Sequence, residues 1–411
     1  MVKKISKSKD DGEESKKIDS KKVEPKSNIK EIFINEGESA KSRIWPASDK
    51  KKRRKKIIII SIIIAVFIVG LVGLYFWAKA HNPDWLNRFK AKTITIDQNK
   101  AKYPSLLTGV LGVNKGDANL RPYAVSIENS PDARPQSGLA KAGLVYEAMT
   151  EGGITRFLAF FDQPPSEVGP VRSARTFFVD WAHEMPAFFV HCGGNGDALD
   201  EIPTLSNFFN ADEFAFGSYF WRSTDRVAPH NLYTSGEDLA KLVKDQGWQT
   251  NLDYPAWLFQ DEAAADKRGI GQTITIDFSS PDFVVTYNYD KTKNVYNRVI
   301  AGVPQVDADG TPVTVKNVAL AYYDGQLVPD PNDNTVSWQL DTGKGGKSKV
   351  FMDGKEVDGT WARTSDGRTR FFDATGNEIK FDRGNTWIEA IVGEATATVT
   401  PLASSATTTN N

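Results

Sequence analysis

The stretch RPYAVSIENSPDARPQSGLAKAGLVYEAMTEGGITRFLAFF, residues 121–161, decides the fold class. It holds three nearly uninterrupted apolar runs, at 123–127, 144–149 and 154–161, which read as buried strands. Glu151-Gly152-Gly153 joins the last two and reads as a tight hairpin. A two-residue turn at 151–152 would set Glu147 opposite Arg156 as a cross-strand ion pair. A fourth buried strand is expected at 187–191. Between them, 171–184 reads as a helix, with Pro170 in its first turn and Val171, Ala174, Phe178 and Trp181 on one stripe. A second helix at 235–246 has Thr234 as its cap, Glu237 three residues on and Gly247 as its stop.

Outward from this mixture the pattern changes. From about residue 270 the chain offers short strand-like runs (TITIDF, FVVTYNY, VYNRVI, TVKNVALAYY, TVSWQL, KVFMDG, TWIEAIV). Turn pairs such as Asp309-Gly310, Asp353-Gly354 and Asp366-Gly367 punctuate them. The expected class is α+β: a mixed α/β N-terminal domain at 119–268, then a mostly antiparallel β domain at 269–393. Whether the two share a sheet stays open. Residues 394–411 form a Thr/Ala/Ser tail with nothing to pack, expected to be disordered.

The 411 residues are 40% hydrophobic and 11% aromatic, enough for a sizeable core, which excludes a wholly disordered or coiled-coil chain. The single cysteine, Cys192, excludes an internal disulfide and a multi-thiolate zinc site. The net charge of -1 conceals a division. Residues 1–56 carry 19 Lys/Arg against 10 Asp/Glu, residues 57–77 carry none of either, and the remainder is acidic. The uncharged IIIISIIIAVFIVGLVGLYFW would rise about 30 Å as a helix, which matches a bilayer's hydrocarbon core. It is read as one transmembrane helix preceding the folded domains. The basic run 50–56 on one side and Tyr75-Phe76-Trp77 on the other orient it. Residues 1–56 become a disordered cytoplasmic tail that meets anionic inner-leaflet lipids, 78–118 a stalk, and the bulk of the chain extracytoplasmic. The localisation expected is the cell membrane, single-pass. A cleaved signal ending at Ala78-Lys79-Ala80 fits less well, because the apolar stretch is too long and too far from the start. The acidic outer part argues against nucleic acid as a partner.

For chemistry, several motifs fail. Gly346-Lys347-Ser348 ends like a phosphate loop, but Asp341 stands where its first glycine belongs and a strand follows. No nucleophile elbow, zinc-protease motif or metal-ligand spacing is present, so no cofactor and no metal are expected. The signal lies in residues 121–175, where five arginines (Arg121, Arg134, Arg156, Arg172 and Arg175) accompany one lysine, Lys141. The planar fork of arginine suits bidentate contact with carboxylate or phosphate. Arg172 and Arg175, three apart in the first turns of the expected helix, oppose its dipole. A bound anion would offset this, and so would ion pairs with Glu128, Glu147 or Asp180. Glu151 at the turn tip and His230 are candidate acid/base groups. His230 lies in a loop, 220–233, with Trp221, Arg222, Asp225 and Arg226. His191 ends a strand before Cys192-Gly193-Gly194, a place where α/β sheets hold ligands. The rival reading of both histidines is structural hydrogen bonding.

Residues 121–161, with GPVRSART at 169–176, APHNLYT at 228–234, YNYDKTKNVYNRVIAG at 287–302 and GNEIKFDRGNTWIEAIV at 376–392, resemble the YerB-like family of bacterial envelope proteins. The resemblance spans about 119–393 and implies an extracytoplasmic two-domain protein without an assigned mechanism. Members are often lipoproteins anchored through an N-terminal cysteine; this chain has only Cys192, and the apolar helix would replace that anchor. Its motifs fall on Glu128, Asn129, Arg134, Pro135, Gln136, Glu147, Glu151, Arg156, Arg172, Arg175, Pro229, His230 and Asn231. The function expected is binding of an anionic or carboxylate-bearing cell-wall ligand or a wall-synthesis partner. Arg172 and Arg175 would grip it, and Arg134, Gln136, Arg156, His230 and Asn231 would complete the pocket. Two alternatives stand: a hydrolase or transferase on a wall polymer using Glu151 or His230, and a structural partner in a membrane complex.

Overall fold

The apolar runs of the first segment fold as β1 (Tyr123–Glu128), β2 (Leu144–Met149) and β3 (Thr155–Phe161), buried along their whole length. With β4 (Phe188–His191) and β5 (Phe209–Asp212) they make up half of a ten-stranded sheet. The computed structural model describes residues 102–112, 114–330 and 335–403. The expected basic tail, the apolar segment 57–77 and most of the stalk lie outside the described residues. Among the described residues no helix is long and apolar enough to cross a membrane.

The second segment supplies β6 (Gln272–Asp277), β7 (Val284–Asp290), β8 (Val295–Ile300), β9 (Asn317–Tyr322) and β10 (Gly346–Met352). It continues with β11 (Lys355–Arg363), β12 (Thr369–Asp373), β13 (Thr386–Ile391) and β14 (Thr396–Pro401). The large sheet runs β12-β11-β10-β9-β13-β2-β3-β1-β4-β5, so each segment contributes five strands to one sheet. The splice is β13, parallel to both β9 and β2. Its sequence TWIEAI is buried throughout, as a central strand covered on both faces requires.

β6, β7, β8 and β14, with Val303–Pro304 and Thr314–Val315, form a six-stranded antiparallel sheet. Burial alternates along β6–β8 because one face packs and the other meets water. Its inner face lies against the large sheet, where Arg298 pairs with Glu147 and Tyr287 bonds Glu389. The opposite face of the large sheet is covered by α1 (Thr176–His183), whose Trp181 stacks on Tyr146 at 4.3 Å. Tyr146 and Glu147 are neighbours on β2 and therefore point to opposite faces. The short helices α2 (Gly196–Glu201) and α3 (Glu213–Phe216), and α4 (Gly236–Asp245), complete the α+β fold.

Five local expectations need correction. The helix expected at 171–184 begins at Thr176. Residues 171–174 are extended because their amides are spent elsewhere: Val171 on Leu232 O, Arg172 on Ser126 O and Ala174 on Gly193 O, at 2.7–2.8 Å. The β2–β3 hairpin has a longer loop, so Met149 faces Thr155 and Glu147 faces Phe157 rather than Arg156. One residue of register turns the pairing of every side chain. The cap of α4 is Ser235, accepting from the Asp238 amide, one residue beyond Thr234. The tail is not wholly unpaired: Thr396–Pro401 runs antiparallel along β6, with Ala397 and Val399 packed on the core. The last part of the stalk also joins the fold, with Leu107 buried and Ser105 Oγ donating to Asp162 at 2.7 Å.

Candidate functional site

Two polar clusters lie on the two faces of β1's C-terminal end, where the strand leaves the sheet as Glu128-Asn129-Ser130. On the α1 side, Glu128 is opposite Arg156 of β3. Glu128 Oε1 accepts from Ser130 Oγ at 3.0 Å, lies 3.0 Å from His230 Nδ1 and 3.4 Å from Arg172 Nε. Next to it, Glu151 Oε1 accepts from Arg156 Nη2 at 2.7 Å, and Oε2 accepts from Arg175 Nε at 3.1 Å and from its Nη2. Burial favours a neutral Glu151, but Arg156 and Arg175 outweigh it and hold the carboxyl well below its ordinary value of 4.5. Glu151 is therefore a fixed anion at neutral pH, not the free acid/base group expected at a turn tip. Arg175, the cap residue of α1, is spent on it too; burial first, then Arg156, lower the Arg175 guanidinium to about 10.

Three arginines thus meet two carboxylates: Arg156 and Arg175 share Glu151, and Arg172 has Glu128. Among the described residues Glu128 is the one ion-pair partner of Arg172, whose Nε is buried without a hydrogen bond and whose side chain is about a fifth exposed (22%). The second oxygen of Glu128 is equally unpartnered. Burial and then the Arg156 charge lower its pKa, yet a guanidinium stays charged at neutral pH. Arg172 lies on the extended segment crossing the carboxyl ends of β1 and β4, whose amide contacts run to Ser126 and Cys192. Crevices at the carboxyl ends of parallel strands are where open sheets bind ligands.

The loop carrying His230 is tied down over this edge. Arg226 donates to Ala133 O and Pro135 O, and Asn231 Nδ2 donates to Ser223 O at 2.9 Å while its Oδ1 accepts from Arg222. Asn231 is thus a loop brace, with both ends of its amide bonded within the loop. His191 is fully buried, bonded to Gly193 O at 2.7 Å and Asn210 Oδ1 at 2.5 Å, a structural histidine. Cys192 Sγ sits 3.3 Å from Glu213, and burial pushes its thiol up to about 11.

Arg134 and Gln136 belong to the other face. Arg134 Nη2 donates to Asn129 O at 2.8 Å, and Gln136 Nε2 to Asn129 Oδ1 at 2.9 Å. Asn129 and Thr155 in turn bond Glu147 at 3.1 and 2.7 Å. Glu147 pairs with Arg298, which also reaches Tyr287 and Gln305. Beside Glu147, on the adjoining β13, stands Glu389, bonded by Tyr287. Burial, then the Glu147 charge, push the Glu389 carboxyl well above its ordinary value, which favours its protonated form. Burial works against the Arg298 charge, but Glu147 and Tyr287 outweigh it and raise its pKa. All of Glu147, Arg298, Tyr287 and Glu389 are sealed from solvent; they join the two sheets. A cavity of about 310 Å³ lies outside this network, lined by Arg134, Gln136, Gln305 and apolar residues 300–306. Sequence reasoning missed Arg298 and Glu389. The available signal was a charged residue at buried parity: Arg298 between Tyr296 and Ile300, and Glu389 inside TWIEAI.

The fold and the two clusters define a two-segment α+β protein with one shared central sheet. Residues 107–249 match the family described as protein of unknown function (DUF3048) N-terminal domain, and 274–388 match its C-terminal domain. The chain is 34% identical over 276 residues, 66% of its length, to "Putative lipoprotein YerB" of Bacillus subtilis (strain 168), covering 81% of that protein. The crystal structure of YerB from Bacillus subtilis superposes with a TM-score of 0.64 at 32% identity, covering 72% of this chain and all of that one. The chain belongs to the YerB-like, DUF3048 family.

Proposed function

We propose that this is an envelope-associated protein whose extracytoplasmic fold binds an anionic ligand, a carboxylate- or phosphate-bearing wall component, through Arg172. The observation that carries the reading is the loosely held guanidinium of Arg172: Arg156 and Arg175 are bonded directly to Glu151, while Arg172 keeps a single 3.4 Å contact and an unsatisfied donor. A buried donor without a partner is unfavourable by about 1–3 kcal/mol, which a ligand's oxygen relieves on binding. The lipoprotein name of the relative supports a place at the outer surface of a membrane, and the apolar segment 57–77, beside the basic run 50–56, supports an anchor with its N-terminus in the cytoplasm.

The test uses the full-length chain in detergent, with titrations of inorganic phosphate and of soluble peptidoglycan fragments. Arg172→Ala is expected to weaken binding at least tenfold, with Arg134→Ala, on the other face, close to wild type. Unchanged binding of every envelope fraction by Arg172→Ala would end the anion-site reading.

A further inference from the structure

We propose, resting on the anion-binding reading, that the Arg172–Glu128–His230 cluster hydrolyses phosphate esters, with His230 as general base toward water. His230 Nδ1 lies 3.0 Å from Glu128 Oε1. A carboxylate there fixes the hydrogen on Nδ1 and leaves the lone pair on Nε2. Among the described residues Nε2 has no hydrogen-bond partner, and a quarter of the side chain (24%) is exposed. This is the arrangement of a base held in one tautomer by a buried acid.

Arg172 meets the same oxygen of Glu128. Cation and base therefore converge on one carboxylate, and an anion gripped by Arg172 comes within reach of the imidazole through one water. If the gripped charge and the reacting centre belong to one group, that group is a phosphoryl ester, whose equatorial oxygens fit the guanidinium fork. The other nucleophile candidates are accounted for. Ser130 Oγ sits on the Nδ1 side, donating to Glu128 at 3.0 Å. Cys192 stays a thiol because burial pushes it up to about 11. Glu151 is held by two arginines. Water remains. Its oxygen attacks phosphorus as His230 Nε2 takes its proton, the phosphorus–oxygen bond to the leaving alcohol breaks, and the imidazolium returns the proton to that alkoxide. Arg172 stabilises the charge on the phosphoryl oxygens throughout.

Two readouts on the full chain separate this from plain binding: inorganic phosphate affinity by calorimetry, and nitrophenolate release from para-nitrophenyl phosphate and bis(para-nitrophenyl) phosphate. The expectation is turnover of at least one ester. His230→Gln should lower it about 10²- to 10⁴-fold at unchanged phosphate affinity. Imidazole should restore part of the rate to His230→Gly, Glu128→Gln should lower the rate through the loss of the group that positions the imidazole, and Ser130→Ala should stay within a few-fold. Phosphate binding without turnover of either ester overturns the hydrolase and leaves the binding reading standing. Turnover undiminished in His230→Gln overturns it as well. No phosphate affinity at all removes the foundation of both.

Discussion

Arg172 and Arg175 look equivalent in sequence, three residues apart in a run with few other charges. The structure separates them. Arg175 is bonded to Glu151 and capped against its own chain at Ala174 O, whereas Arg172 keeps an unsatisfied donor. Arg172→Ala is accordingly expected to change stability by less than about 1 kcal/mol in a urea titration while weakening the proposed phosphate binding at least tenfold. Glu151→Gln leaves Arg156 and Arg175 unpaired and should cost about 2–3 kcal/mol, below the value for a fully buried pair because Glu151 is partly solvated. Its pH dependence has a definite sign. The Glu151 carboxyl is depressed in the fold, so its stabilisation is present above the ordinary value of 4.5 and is lost as pH falls below it toward the folded value. The gap between wild type and Glu151→Gln should therefore narrow steadily as pH falls below the ordinary value of 4.5; a constant gap would show that the ion pairs do not provide it. The choice of arginine over lysine was legible in the sequence; the assignment of partners was not, because it depends on a one-residue register and on where a helix starts.

At the scale of elements, the long apolar runs were legible since burial on both faces leaves no room for polar alternation. The four strands expected in the first segment fall within one residue of the observed ends, while β5 was not foreseen. The start of α1 was not legible: Val171–Arg175 have helical periodicity, but the amides of Val171, Arg172 and Ala174 bond Leu232 O, Ser126 O and Gly193 O. Trp181, sealed between Tyr146, Phe178 and Tyr323, holds this helix to the sheet. Trp181→Ala should cost about 3–5 kcal/mol by chemical denaturation. The Thr-rich stretch TATVTP looks unstructured because its alternation is weak, yet it matches β6 residue for residue. Ending the chain after Ala395 should strip amide-exchange protection from β6 and lower stability by on the order of 1–3 kcal/mol. Unchanged protection in β6 would mean that β14 pairs too weakly to matter.

At the scale of the whole molecule, the sharing of one sheet by both segments was beyond the sequence, since β13 pairs on one side with β2, 242 residues earlier. Its neighbours make the ionic core between the sheets. Burial there favours the protonated form of Glu389, while Glu147 is paired with Arg298, so the three are not interchangeable. Folding takes up a proton at Glu389, so this group makes stability fall as pH rises above 4.5 toward its folded value. Glu389→Gln should remove that slope and be nearly neutral near pH 6, whereas Arg298→Met, which strands Glu147, should cost about 3–5 kcal/mol. Equal penalties for the two would contradict a protonated Glu389. Residues 119–268 expressed alone lack β13 and Arg298, and should give no dispersed amide spectrum until residues 269–403 are added.

That same splice has a consequence for how the chain is made. Leu144 is laid beside Thr386, 242 positions later, so a ribosome or a secretion channel delivering the N-terminus first releases β2 with one edge bare for most of synthesis. Such distant closure makes for slow folding and long exposure of an adhesive edge. A stop codon anywhere before residue 386 yields not a weaker version of the molecule but a protein without a middle.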